Sequence, residues 1–131
     1  MASIFRELMV DAPVERVWDA VRDVGAIHER LVPGFVTDCR MEGEARVVTF
    51  ANGITARELI VDCDDTARRL VWSARGGRLT HHNASLQVFQ AGSGSRLVWI
   101  ADLLPSEMAP AIGGMIDQGM AAMKRTLQAA R

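Results

Sequence analysis

Asp102–Leu127 reads DLLPSEMAPAIGGMIDQGMAAMKRTL. Its opening residues close a strand-like run, RLVWIADLL (96–104), and Pro105 stops that run. Ser106 is a candidate N-cap with Glu107 just inside, where an acidic side chain suits the positive end of a helix. Met108, Ile112, Met115, Ile116, Met120, Met123 and Leu127 then recur at helical spacing. The spacing predicts a helix from about Ser106 to Ala130. Gly113, Gly114 and Gly119 each weaken it by about 1 kcal/mol relative to Ala. A long helix with one apolar stripe must bury that stripe against another large element.

The sequence before it supplies that element. Working back from Leu104, strand-like runs appear at 79–90 (LTHHNASLQVFQ), 69–75 (RLVWSAR), 54–64 (ITARELIVDCD), 45–51 (ARVVTFA) and 35–42 (FVTDCRME). Turn residues separate them: Gly92-Ser93-Gly94-Ser95, Gly76-Gly77, Asp64-Asp65-Thr66-Ala67, Asn52-Gly53 and Gly43-Glu44. Asn-Gly between apolar runs is the strongest of these hairpin signals. Tight turns between successive strands imply an antiparallel sheet. A further strand, 2–11 (ASIFRELMVD), opens the chain. Next, Asp11 is a plausible N-cap with Pro13 in the first turn, and Val14, Val17, Trp18 and Val21 form an amphipathic stripe. A second short helix, AIHERLV (26–32), ends at Pro33-Gly34. The expected fold is α+β: a seven-stranded curved antiparallel sheet, two short helices after its first strand, and a long C-terminal helix across the concave face. With no linker, repeat or low-complexity segment, residues 1–131 read as a single domain.

Composition removes several function classes. Lys+Arg number 15 against 16 Asp+Glu, so no basic excess exists to neutralise phosphates and no nucleic-acid partner is expected. No apolar run approaches the ~20 residues of a membrane span, and MASIFRELMV does not read as a signal peptide. Cys39 and Cys63 are too few for a disulfide framework or a zinc site, and read as two small hydrophobes in a reducing compartment. The expected location is cytoplasmic. There is no P-loop, G-x-S-x-G, dinucleotide-binding or zinc motif, so neither a metal nor another cofactor is expected.

The element order, together with the tail quoted above, resembles the START-like superfamily, also called SRPBCC. Within it the chain is most similar to the small bacterial proteins labelled polyketide cyclase/dehydrase-like. APVERVWDAVRD (12–23) and RLVWIADLLP (96–105) carry much of the likeness. More distantly, ITARELIVDCDD (54–65) and RGGRLTHHNAS (75–85) resemble strands of the plant abscisic-acid receptors. The resemblance implies a helix-grip fold with a hollow between helix and sheet, and ligands drawn from lipids, hormones and polyketides. It does not imply one reaction. The chain departs from the hormone receptors in its loops: ANGITA (51–56) lacks the proline-containing gate and RGGRLT (75–80) lacks the histidine before the arginine.

Strand parity sorts the candidate site residues. In 54–64, hydrophobicity does not decide between the face of Ile54, Ala56, Glu58 and Ile60 and its opposite; the resemblance places Glu58 inward. It likewise places Asn83 and Ser85 in the hollow, with His81 on their face. Leu97 and Trp99 are assigned inward on the last strand. Phe35, Thr37, Cys39, Val48 and Phe50 complete the wall, and Ile112, Met115, Gly119 and Met123 face it from the helix. Gly119 is read as room left for a guest. Trp72 reads as core filler, and Trp99 as a surface for a ligand to stack on.

Glu58 is the leading polar candidate. It serves either as an acid/base group, as an anchor for a ligand polar group, or as a salt-bridged strand residue. His81 is either its acid/base partner or a strand-end histidine bonded to water. Adjacent His81 and His82 point to opposite faces of a regular strand, which makes them a poor metal site. Three functions fit: a binder of a small, mostly hydrophobic molecule with a polar group; a cofactor-free cyclase or dehydratase acting on a polyketide-like or aromatic substrate; or a protein-interaction module, including a homodimer.

Overall fold

A computed structural model describes residues 1–129; Ala130, the expected last residue of the terminal helix, lies outside the described residues. The elements in chain order are β1 (Ala2–Val10), α1 (Val14–Arg22), α2 (Ile27–Arg30), β2 (Val36–Glu42), β3 (Ala45–Phe50), β4 (Thr55–Asp64), β5 (Arg69–Arg75), β6 (His81–Ala91), β7 (Gly94–Leu104), one 3-10 turn (Ser106–Met108) and α3 (Ala109–Ala129). The strands form one seven-stranded antiparallel sheet in the order β1-β7-β6-β5-β4-β3-β2. This is the α+β helix-grip arrangement expected from the sequence. The first strand returns beside the last, so β1 and β2 form the two edges.

The turn chemistry explains the tight connections. In the β3–β4 hairpin the Asn52 side chain accepts from the Ile54 N–H at 3.0 Å, and Gly53 takes φ 87°, a conformation that disfavours residues carrying a Cβ. Helix α1 starts differently from expectation. Pro13, not Asp11, sits at the N-cap, in extended conformation, where its fixed φ and missing N–H suit the junction.

The helix stripes face the sheet. Val17 and Val21 of α1 are fully buried, and Ile116, Met120, Met123 and Leu127 of α3 pack into the same core as Leu70, Leu86, Leu97 and Leu103. Polar ties fix the layers. Trp18 Nε1 and Arg22 Nε both donate to Asp65 in the β4–β5 turn, at 2.9 and 2.8 Å, and hold its carboxyl below the usual carboxylate range. At the β1 edge, Arg6 pairs with Asp117 of α3 at 2.7 Å.

Candidate functional site

Between α3, α2 and the concave face of the sheet lies a pocket of about 280 Å³. Its lining is mainly apolar: Val48 and Phe50 from β3, Leu70 and Trp72 from β5, Trp99 from β7, and Ile112, Met115 and Met123 from α3 are among the contributors. Trp72 and Trp99 meet edge to face, with ring centroids 5.7 Å apart. Phe35 and Phe50 meet at 5.3 Å near the other end.

One polar row crosses this wall. Arg46 pairs in register with Glu58, and Glu58 with Ala74. Arg46 Nε donates to Glu58 Oε1 at 2.8 Å, and both residues are buried. Arg46 Nη1 reaches the Val24 carbonyl at 3.2 Å, and the guanidinium lies 5.5 Å from the Trp72 ring centroid. The row continues to His82. The β5–β6 register ends with Trp72 opposite Ala84, and two residues further the Ala74 N–H donates to the His82 ring at Nδ1, 2.9 Å away. Ser73 Oγ donates to the His82 carbonyl at 2.5 Å. The imidazole thus replaces a backbone carbonyl as the acceptor at the end of the ladder. Burial pushes its pKa below the usual 6.5, opposed by the negative charge of Glu58. Among the described residues no three His, Cys, Asp or Glu side chains cluster at metal-binding distance.

Sequence reasoning and geometry agree at some positions and part at others. Phe35, Val48, Phe50, Glu58, Trp99, Ile112 and Met115 all line the pocket. His81, Asn83 and Ser85 do not. On β6 the alternate set His82, Ala84, Leu86 and Val88 is the core face, so the assigned parity was off by one; His81 is exposed and His82 takes its place. Ser85 is buried, but on the other face, paired in register with Ile100 and Val71. Leu97 faces inward and is fully buried in the core beyond the pocket. Thr37 is exposed because a register shift between Val36 and Asp38 breaks the alternation of β2. Gly119 leaves no room for a guest. A Cβ there would stand 3.0 Å from Trp99 Cζ3 and 3.3 Å from Phe35 Cε2, so its missing side chain is filled by those two rings.

A family model described as polyketide cyclase/dehydrase and lipid transport matches residues 1–128. The chain belongs to that family. Solved structures share its fold. A Bacillus thuringiensis protein superposes with a TM-score of 0.85 at 16% identity, covering 96% of this chain and 98% of its own. The Bacillus cereus protein XoxI gives 0.85 at 18%, covering 97% and 96%. A Thermobifida fusca protein gives 0.76 at 29%, covering 98% and 91%. No curated protein gives a significant match.

In this polyketide cyclase/dehydrase family member, the lining residues that the sequence did not assign to the wall include Arg46, His82 and Trp72. Arg46 stood in ARVVTFA on the same parity as Val48 and Phe50, so the inward assignment of those two already implied it. Its charge argued against a core position until its partner across the ladder, Glu58, was known. His82 followed from the correct parity of β6, which Leu86 and Val88 would have indicated over Asn83 and Gln87. Trp72, read as filler, is buried yet lines the pocket and carries the guanidinium.

Proposed function

We propose that this protein binds one small, mostly hydrophobic molecule bearing a polar group, held in the pocket between sheet and α3. The observation that carries this reading is an apolar pocket crossed by a single buried polar row, the usual chemistry of a small-molecule site. Its volume of about 280 Å³ is near the lower end of the ~300–1,000 Å³ typical of such sites and favours a compact ligand over a long-chain lipid. The family description, which includes lipid transport, supports carriage. Near-balanced charge supports a partner that is neither nucleic acid nor an anionic surface. No described helix is long and apolar enough to cross a membrane, and we place the protein in the cytoplasm as one ligand-binding unit. Native mass spectrometry of protein recovered from its own host tests this reading. A small molecule should accompany the wild type and be absent from Ala56→Phe, which fills the pocket from β4. Equal retention by both proteins would refute it.

The proximity of Glu58 and His82 in one row supports a second reading, a proton-transferring enzyme of the cyclase or dehydratase type. His82 then takes the role assigned to His81 from the sequence. Under this reading Glu58→Gln retains binding and loses turnover.

A further inference from the structure

We infer that the row Arg46–Glu58–Ala74–His82 recognises a neutral hydroxyl, such as a phenol, enol or alcohol, on a compact apolar ligand. This deepens the binding reading above and rests on it. The inference begins with hydrogen-bond valence. Glu58 Oε1 accepts from Arg46, whereas Oε2 has no partner among the described residues. His82 Nδ1 accepts from a backbone N–H that always carries its proton. The neutral ring therefore holds its own proton on Nε2, and that N–H, on the far edge of the ring, has no partner among the described residues. Both residues line the pocket, with only the small side chain of Ala74 between them in the row. The wall thus presents one acceptor and one donor on strands two apart, with backbones roughly 10 Å from each other, on the same concave face.

Other ligand groups fit less well. A carbonyl accepts from His82 but brings a second acceptor to Glu58. A carboxylate adds negative charge beside Glu58, where the buried cation, Arg46, already pairs with Glu58 and the Val24 carbonyl, and the other lining cations, Arg75 and Arg78, are exposed to solvent. An ammonium satisfies Glu58 but stands beside the Arg46 guanidinium and offers His82 nothing to accept its proton. A hydroxyl donates and accepts through one atom and completes both residues without a charge.

Calorimetric titration with 2-naphthol, 2-methoxynaphthalene and 2-naphthoate tests this. The naphthol should bind about tenfold or more tighter than its methyl ether, because the ether leaves Glu58 without a donor. The naphthoate should bind weakest, His82→Phe should weaken naphthol and ether alike, and the Arg46→Met/Glu58→Leu double variant should erase the preference for the hydroxyl. Should that variant fail to fold, long-range ¹H–¹⁵N spectra of the wild-type imidazole decide: the naphthol shifts Nε2 and leaves Nδ1 as acceptor. Equal affinity for naphthol and ether, tightest binding of the naphthoate, or an unmoved Nε2 overturns the inference while leaving a ligand pocket. Failure of all three probes to bind would instead remove the pocket reading beneath it.

Discussion

Replacing Glu58 by Leu removes what is, among the described residues, the sole carboxylate partner of a buried guanidinium. Arg46 and Glu58 are only 4% and 8% exposed and 2.8 Å apart, so water cannot readily take the place of the lost carboxylate. Two other contacts of Arg46, to the Val24 carbonyl and the Trp72 face, remain but carry no compensating charge. Breaking a buried pair from one side costs about 3–5 kcal/mol, whereas replacing both members by apolar side chains of similar size is neutral within about 1–2 kcal/mol or stabilising. Glu58→Leu and Arg46→Met should therefore each lower the unfolding free energy by about 3–5 kcal/mol, and the double variant should recover most of that loss. Urea unfolding of the four proteins forms a double-mutant cycle. The reasoning fails if either single substitution costs less than about 1 kcal/mol, or if the double variant is as unstable as the sum of the singles. The double variant should also bind an apolar probe without discriminating for a hydroxyl.

Other perturbations follow from named contacts. At Gly119, alanine gains about 1 kcal/mol of helix propensity but drives a Cβ against Trp99 and Phe35, an overpacking of about 1–3 kcal/mol. The net result in thermal melts should be destabilisation, with weaker probe binding because both rings line the pocket. A rise in stability would show that the rings yield freely. His82 has a folded-state pKa below its ordinary 6.5, so on acidification the unfolded chain takes up the proton first. The contribution of neutral His82 is complete above that value and is lost as pH falls through 6.5 towards the folded pKa. Urea midpoints measured between about pH 7.5 and 5 should drop, and His82→Phe should flatten the slope; an unchanged slope assigns the effect elsewhere. Cys63 is exposed and Cys39 buried, so a thiol reagent should modify Cys63 in the folded protein and reach Cys39 only on unfolding. Equal rates at both would contradict the packing of β2.

The fold was legible because it depends on few signals. Asn52-Gly53, Gly43-Glu44 and Asp64–Ala67 marked where strands turn, and the methionine-rich stripe of α3 marked the element that covers them. The site depended on parity, which single residues upset. On β6, the resemblance placed Asn83 and Ser85 in the hollow with His81 on their face, while the true core face is carried by Ala84, Leu86 and Val88 with His82 at its end. On β2, the irregularity near Thr37 leaves no mark in composition. The Arg46–Glu58 pair was hidden for a different reason. Its members lie on neighbouring strands, and only the register between β3 and β4 brings them together. Gly119 was found as a special position but read with the wrong sign: the space belongs to Trp99 and Phe35.

A crystal structure of the protein saturated with a compact aromatic alcohol tests the binding account most directly. The apolar body should lie against Trp72, Trp99 and Phe50, with its hydroxyl oxygen within hydrogen-bond reach of both Glu58 Oε2 and His82 Nε2. An empty pocket at saturation, or a ligand seated on the outer face of the sheet, would contradict it.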